Sequence, residues 1–251
     1  MIKNIISPAN PIIKHVVTLH IAKHRTELQE FIAEGFRTIS TIIKAGHQPI
    51  TLFTTEELLY DAQQLTDDKH IITVSTEIMD KISTAQSPSG LLATFKIPQQ
   101  PSFDTLGSGV VLAQVTDPGN MGTLIRTAAA MNQKTVVCVE TVDPWNPKVI
   151  QATAGAIANV SIFRLNWQEL ILNKNDIPLY ALMPSEGKDP NRVNLQEALI
   201  VVGSESHGIP QEWVEQCDEK ITIPMPGNFE SLNAAVAGSI VLYLAAQQNS
   251  F

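Results

Sequence analysis

Three polar segments in the C-terminal half of the chain carry the residue types best suited to chemistry. They are residues 116–130, 200–210 and 223–233, and each follows an apolar run typical of a buried strand. Each segment breaks at Gly or Pro and then enters a helix, whose N-terminus presents unpaired N–H groups and the positive end of the helix dipole. Ligands of open α/β sheets bind where the C-terminal ends of strands meet such loops. The three segments therefore predict one shared pocket.

Polar side chains at these junctions are the candidate catalytic groups: Asn120, Arg126, Glu205, Ser231 and Asn233. Arg126 precedes a run of three alanines, which lets its helix approach a neighbour closely, so its guanidinium is expected to be held rigidly toward a carboxylate or phosphate. Two simpler interpretations stay open. Ser231 is a good helix cap in its own right, and Arg126 is alternatively a surface side chain near a helix start.

Several familiar motifs are missing. No Gly-x-Gly-x-x-Gly follows a strand, and no Gly-x-x-x-x-Gly-Lys-Ser/Thr loop is present, which argues against an ordinary dinucleotide fold and a P-loop. Residues 203–208 come near the Gly-x-Ser-x-Gly elbow of serine hydrolases, with Ser206 as nucleophile. We expect the adjacent His207 to point elsewhere, because the partners of a catalytic triad are brought together by folding. The sequence thus gives little support to a hydrolase.

The composition bounds the class of protein. The chain has 251 residues, of which 44% are hydrophobic and 17% charged, as in a well-buried globular protein of one or two domains. It contains neither a membrane-spanning run nor a signal peptide, and Cys138 and Cys217 lack metal-ligand spacing. We therefore expect a cytoplasmic protein with reduced thiols, no metal and no membrane partner.

Charge is distributed unevenly. The net charge of −8 argues against a general nucleic-acid coat, but the first fifty residues are locally basic, with Lys or Arg at six positions and an acid at three. Such a face is suited to phosphates, and a solvated surface is the alternative. The basic residues are Lys3, Lys14, Lys23, Arg25, Arg37 and Lys44.

Helical and strand-like runs alternate along the chain, which predicts two α/β domains. In the first, Asn10-Pro11 starts a helix reaching about His24, and further helices are expected at 36–44 and 76–82. The uncharged, Pro-containing segment 97–102 is the expected linker, which divides the chain into domains 1–97 and 103–251. Near-continuous apolar strands in the second domain predict a mostly parallel sheet. They are expected at 110–115, 135–139, 160–163, 179–183, 199–202 and 220–223.

Taken together, the motifs resemble the SpoU (TrmH-like) family of RNA ribose methyltransferases, within the SPOUT superfamily. The resemblance rests on 117–122 with 126–129, on 202–205 with Gly208, and on 223–225 with 230–233, including Glu230. Residues 7–11 and 31–37 are similar to the ribosomal-protein-like RNA-binding domain of that family. Nearly the whole chain is covered.

The resemblance implies properties that periodicity does not show. These are a C-terminal trefoil knot, a homodimer, S-adenosylmethionine as cofactor and the ribose 2'-hydroxyl of a structured RNA as substrate. The family's motif-one Arg, here Arg126, would assist deprotonation or anchor a phosphate, with Asn120 and Glu205 orienting it and Ser231 and Asn233 holding the ribose or the loop. The implied cofactor-binding residues are Val202, Gly203, Gly208, Ile223, Met225 and Leu232. The implied RNA-binding residues are Lys14, Arg25 and Arg37.

Ribosomal RNA is the expected substrate, with transfer RNA and a non-catalytic RNA-binding or assembly protein as alternatives. Two positions depart from the family pattern. Gln151 stands where many relatives carry Arg, which puts a phosphate contact there in doubt. Asn132 replaces a common Gly at the end of the first helix of the second domain, a mild change because Asn tolerates the left-handed conformation.

Overall fold

The computed structural model describes residues 2–227 and 231–248, so Glu230 of the third motif lies outside the described residues. Packing divides the chain into two units. The first unit comprises residues 2–99 and 145–158, and the second comprises residues 100–144, 159–227 and 231–248. The stretch 145–158 lies in the part of the sequence that was assigned to the C-terminal domain. The boundary at the 97–102 linker stays a prediction.

Strands and helices alternate through both units. The strands are β1 (Lys3–Ile5), β2 (Glu30–Glu34), β3 (Thr51–Thr54), β4 (Ile71–Val74), β5 (Leu91–Lys96), β6 (Gly109–Ala113), β7 (Thr135–Val139), β8 (Ser161–Leu165), β9 (Leu179–Leu182), β10 (Leu199–Gly203) and β11 (Glu219–Ile221). The helices are α1 (Pro11–Thr18), α2 (Ala22–Leu28), α3 (Phe36–Lys44), α4 (Leu59–Gln63), α5 (Thr76–Ile82), α6 (Pro118–Ala130), α7 (Pro147–Thr153), α8 (Trp167–Asn173), α9 (Gln211–Val214) and α10 (Ala234–Gln248).

One local signal starts three of these helices. Asn10, Asp117 and Asn146 each precede a proline that occupies the first helical position. Their side-chain oxygens accept hydrogen bonds from backbone N–H groups two or three residues further on, at 2.8–2.9 Å. The cap satisfies an N–H group that would otherwise lack a partner, and proline has no N–H to satisfy, so the dipeptide specifies the start of a helix.

The first unit contains a mixed five-stranded sheet in the order β1-β4-β3-β5-β2. Strand β2 runs antiparallel to β5, and Trp145 of the later stretch packs its ring 4.9 Å from that of Phe31 on β2. The α/β character is confirmed, and α3 and α5 have their predicted bounds. Strands β1 and β2 were not predicted, because β1 has only three residues and β2 is defined by its pairing with β5, more than 60 residues away in the sequence.

The single helix predicted from Pro11 to about His24 is wrong. The chain instead forms α1 and α2, with a break after Thr18. The Arg25 guanidinium donates hydrogen bonds to the carbonyl oxygens of Leu19 and His20 at 2.8 and 3.0 Å. These bonds satisfy carbonyl groups that the end of a helix leaves unpaired, which stabilises the break.

The second unit contains a six-stranded sheet in the order β11-β9-β10-β6-β7-β8, and every pair in it is parallel. This confirms the predicted mostly parallel sheet. Gly203, the last residue of β10, pairs with Ala113, the last residue of β6. The chain continues from β6 toward β8 on one side and from β10 toward β11 on the other. Open parallel sheets bind ligands at such a reversal, outside the C-terminal ends of the strands.

Helices α6 and α10 pack closely beside this point. Gly238 of α10 allows the approach, since a Cβ atom there would lie 2.5 Å from Leu124 of α6 and 3.0 Å from Val202 of β10. Asn132, after α6, has φ 57°, which confirms that an asparagine takes the left-handed conformation expected there. The trefoil knot implied by the resemblance stays a prediction.

Candidate active site

A cavity of about 530 Å³ lies at the C-terminal ends of the strands in the second unit. Its volume is within the range of small-molecule sites. Four segments form its wall: the end of β9, the end of β10 with its loop, the segment after β11 and the start of α10. The lining residues are Leu182, Met183, Pro184, Val202, Gly203, Ser204, Glu205, His207, Gly208, Ile209, Ile223, Met225, Ser231, Leu232, Asn233, Ala234 and Ala237.

Glycine shapes the β10 side of the cavity. The backbones of Ser204 and Gly208 exchange two hydrogen bonds, from Ser204 N–H to Gly208 O at 3.2 Å and from Gly208 N–H to Ser204 O at 2.9 Å. Gly208 has φ 68°, a conformation that side chains disfavour. A Cβ atom on Gly203 would lie 2.3 Å from the carbonyl carbon of Gly208. Glycine at 203 therefore permits the close approach of the two sides of the loop, and at the exposed Gly208 the backbone lines the cavity without a side chain.

The structure brings the six predicted cofactor-binding residues together. Val202, Gly203 and Gly208 come from the second motif, and the other three come from the third. Parallel pairing aligns the ends of neighbouring strands, so loops that are about 20 residues apart in sequence share one edge of the sheet. The expected single pocket is present for the second and third motifs. Their individual roles stay predictions.

A chain of hydrogen bonds connects the first motif to this cavity. The Asn233 side-chain amide donates to Asn120 Oδ1 at 3.3 Å, and the Asn120 amide in turn donates to Glu205 Oε1. Asn233 Oδ1 also accepts the backbone N–H groups of Ala235 and Val236 at 2.9 and 3.1 Å, so Asn233 caps α10. Asn120 of α6 thereby holds one carboxylate oxygen of Glu205 at the cavity wall and is itself held by Asn233 at the start of α10.

Arg126 is placed differently from the expectation. It is exposed, does not line the cavity, and makes no hydrogen bond or ion pair with any residue of 2–227 or 231–248. Asn120 and Glu205 bond to each other and do not orient it. Since each residue turns an α-helix by about 100°, a residue six positions along lies about 120° around from Asn120. Thr127 shares the face of Asn120 instead, and its hydroxyl oxygen lies 3.0 Å from that of Ser239 on α10.

The expectation that His207 points away from Ser206 is wrong. Ser206 Oγ lies 2.8 Å from His207 Nδ1. The arrangement still differs from a hydrolase triad, in which the serine contacts Nε2 and a carboxylate contacts Nδ1. Ser206 does not line the cavity, and among the described residues no carboxylate bonds to the His207 ring. The hydrolase interpretation gains no support.

The predicted RNA-binding residues lie in the first unit in two different environments. Lys14 and Arg37 are exposed. Arg25 is 1% exposed and its guanidinium bonds to backbone carbonyls, so it cannot reach a phosphate from this position. We therefore exclude Arg25 from the proposed RNA surface. The sequence pattern around Arg25 did not indicate that it is buried, because its burial depends on the break between α1 and α2.

The end of β9 is the part of the wall that the sequence interpretation missed. Leu182, Met183 and Pro184 line the cavity there, although the strand itself was predicted. A usable signal exists, since Pro184 and Gly187 follow an apolar strand just as in the three recognised segments. His207 also lines the cavity, a role that its place beside Ser206 in the sequence did not indicate.

The cavity wall contains no cysteine, and the described residues form no cluster of metal ligands. Neither cysteine lines the cavity, and burial raises the pKa of both Cys138 and Cys217 to about 12. Both are free thiols. Within the described ranges no cluster of three or more His, Cys, Asp or Glu residues is placed to hold a metal ion. Helices long and apolar enough to cross a bilayer are likewise lacking from the part of the chain that the structure describes.

Two family models match the chain. The model of the SpoU rRNA Methylase family matches residues 108–243, which contain most of the cavity wall. A model of the MRM3-like substrate binding domain matches residues 10–93, in the first unit.

Proteins similar over their whole length extend this result. An uncharacterised tRNA/rRNA methyltransferase of Synechocystis is 30% identical over 261 residues, which cover 98% of this chain and 94% of that protein. The 23S rRNA (guanosine(2553)-2'-O)-methyltransferase RlmP of Bacillus subtilis is 26% identical, with 96% and 98% covered. A solved structure of an AdoMet-bound rRNA methyltransferase from Sinorhizobium meliloti matches with a TM-score of 0.86 and 26% identity, with 100% and 99% covered.

Proposed function

The chain belongs to the SpoU rRNA methylase family, whose model spans more than half of it, and we propose that it transfers a methyl group from S-adenosylmethionine to a ribose 2'-hydroxyl of ribosomal RNA. The observation that carries this proposal is the cavity at the strand ends. Its wall contains all six residues that the motifs assign to the cofactor, together with Glu205, Ser231 and Asn233.

The residues of the cavity fit S-adenosylmethionine. The apolar side chains of Ile223, Met225 and Leu232 offer a surface for an adenine ring, and the exposed backbone at Gly208 offers hydrogen-bonding groups without a side chain in the way. When bound, the cofactor supplies a methyl group that is already activated as part of a sulfonium. The protein's task is therefore mainly to position the two reactants and to deal with one proton.

The hydrogen-bonded chain from Asn233 through Asn120 to Glu205 supplies a fixed acceptor at the cavity wall. The Asn120 amide bonds one carboxylate oxygen of Glu205, the other accepts no hydrogen bond from the described residues, and a ribose hydroxyl is a suitable partner for that second oxygen. Arg126, exposed and without a partner among the described residues, is suited to a phosphate of the RNA.

The first unit is proposed to bind the RNA, through exposed Lys14 and Arg37 and in keeping with its match to a substrate-binding domain. Transfer RNA is the second candidate substrate, because the Synechocystis relative is described as a tRNA/rRNA methyltransferase. The proposed location is the cytoplasm.

We expect the active form to be a homodimer. Val236 and Tyr243 of α10 are seven residues apart, and so share one face of the helix, yet they are 48% and 51% exposed. Apolar side chains on one helix face are typical of a contact surface. Light scattering on the purified chain would show a mass twice that of the monomer, and a monomer at high concentration would contradict the expectation.

The function is tested by methyl transfer. Purified protein is incubated with radiolabelled S-adenosylmethionine and with ribosomal or transfer RNA from cells in which the gene has been deleted. We expect label in ribosomal RNA, at one ribose, and none in the same RNA from cells that retain the gene. Label in transfer RNA alone would favour the second substrate. Cofactor binding without transfer to either RNA would favour a non-catalytic RNA-binding or assembly protein.

A further inference from the structure

We propose that His207 accepts the proton that the ribose hydroxyl loses during methyl transfer. This inference rests on the proposed function and adds a catalytic residue to it. The observation behind it is the chemical make-up of the cavity wall, in which groups able to hold a proton are scarce.

Glu205 and His207 are the titratable side chains among the described residues that line the cavity. The wall segments from β9, from 223–225 and from α10 contribute apolar, hydroxyl and amide groups there. A carboxylate is a weak base at neutral pH, and that of Glu205 already accepts the amide of Asn120. Imidazole is the side chain whose basicity matches neutral pH, which is the condition for efficient proton transfer.

Arg126 is less suited to this task. It lies outside the cavity wall, and a guanidinium keeps its proton under all ordinary conditions. The two residues therefore divide the work. Arg126 is left to hold a phosphate of the RNA, and His207 takes the proton.

The loop holds the imidazole in a defined position. His207 Nδ1 lies 2.8 Å from Ser206 Oγ, and the backbone N–H of His207 donates to Ser204 Oγ at 3.3 Å. In the tautomer in which Nδ1–H donates to the serine oxygen, the lone pair of Nε2 is free. No other side chain in the described part of the chain bonds to the ring, so Nε2 is available to a substrate.

The step balances without another reactant. The ribose oxygen forms a bond to the methyl carbon while the carbon–sulfur bond breaks, and that electron pair stays on the sulfur, which becomes a neutral thioether. The O–H bond of the ribose breaks at the same time, and its proton moves to Nε2. The imidazolium then returns the proton to water.

The test compares the full-length chain with His207→Gln, using radiolabelled S-adenosylmethionine and ribosomal RNA from the deletion strain. Single-turnover rates are measured between about pH 5.5 and pH 9, the range over which imidazole groups change charge. The wild-type rate should rise with pH and then level off. At the pH of the wild-type plateau the rate of the variant should be lower by on the order of 100-fold, the usual contribution of a general base, and it should keep rising with the hydroxide concentration. His70→Gln, which changes a histidine of the first unit, is the matched control and should behave as wild type.

Cofactor binding separates this role from the alternatives. Calorimetry should give the same affinity for S-adenosylmethionine in His207→Gln and wild type, since the proton acceptor contributes only during transfer. A variant that loses the cofactor, or one that keeps both the rate and the plateau, would overturn the inference. A wild-type rate that rises through the whole pH range without levelling off would overturn it without any variant. If the wild type transfers no methyl group at all, the proposed function itself fails, which is a different result.

Discussion

Gly203→Ala should displace the loop that forms the β10 side of the cofactor cavity. The φ of Gly203 lies outside the left-handed region, so an alanine there meets no conformational penalty of that kind, and the effect is one of space. Its Cβ would lie 2.3 Å from the carbonyl carbon of Gly208, 2.5 Å from the nitrogen of Ile209 and 2.6 Å from the oxygen of Gly208. All three are backbone atoms, which cannot turn away as a flexible side chain would.

The size of the effect follows from these distances. Ordinary carbon contacts begin near 3.4 Å, so the loop must move by about 1 Å. A movement of that size breaks the two backbone hydrogen bonds between Ser204 and Gly208, now 3.2 and 2.9 Å long. Each such bond contributes about 0.5–1.5 kcal/mol, so the loop loses about 1–3 kcal/mol of support. Affinity for the cofactor should fall by on the order of 10- to 100-fold, because 1.4 kcal/mol corresponds to a factor of ten.

Calorimetry with S-adenosylmethionine measures this loss directly. Gly46→Ala, in the first unit, is the matched control, since its Cβ would meet nothing within 4 Å but its φ of 97° is strained. That variant should lose about 1–2 kcal/mol of stability from the left-handed conformation and bind the cofactor as wild type does. If Gly203→Ala binds the cofactor as tightly as wild type, the backbone at Gly203 does not line the cofactor site, and the assignment of the cavity is refuted.

Three further predictions concern other parts of the molecule. Arg126→Ala should abolish methyl transfer, while the affinity for the cofactor measured by calorimetry stays within about twofold, because Arg126 does not line the cofactor cavity. Lost cofactor binding would contradict this. Burial raises the pKa of Glu30, but hydrogen bonds from Lys96 and His15 outweigh it and hold the pKa below the usual 4.5. The stability this contributes is present above pH 4.5 and is lost as the pH falls through the lowered pKa, so urea unfolding of wild type and Glu30→Gln should differ at neutral pH and converge in acid; an equal difference at every pH would refute it. Gly155→Ala should cost about 2–4 kcal/mol in urea unfolding, because the glycine has φ 84° and its Cβ would lie 2.5 Å from a backbone oxygen of α3; a cost below about 1 kcal/mol would mean that α3 moves freely.

The hydrogen-bonded chain through Asn120 connects one residue from each of the three motifs. Asn233 both caps α10 and donates to Asn120, so the position of α10 and the orientation of Glu205 are linked. A displacement of α10 would carry Asn233 with it and remove its hydrogen bond to Asn120, the residue that holds the Glu205 carboxylate. Such coupling places positioning groups on rigid helix ends, where their geometry is better defined than on a free loop.

Local signals in the sequence were sufficient for much of the fold. The bounds of α3, α5 and β7 were predicted correctly, because each has an apolar pattern of one clear period and is flanked by turn residues or caps. The start of α1 followed from the Asn-Pro dipeptide, and the structure shows that Asp117-Pro118 starts α6 in the same way. The helices α1 and α2 were wrongly predicted as one helix. The break between them depends on Arg25, which is buried in the structure although an arginine is ordinarily expected at the surface.

In the candidate site, too, the sequence predicted the local features and missed the contacts between distant residues. From its sequence alone the chain could be assigned to a mostly parallel α/β fold with ligand-binding loops after three strands, since strand and loop chemistry are local. Only the tertiary structure decided that Glu205 bonds to Asn120, that Arg126 lies off the cavity wall and that the end of β9 joins the site. Those contacts depend on strand order and on the rotation of α6 about its axis. Both are set by packing between residues that are distant in the sequence, such as Leu179 and Leu199 of β9 and β10 or Thr127 and Ser239 of α6 and α10.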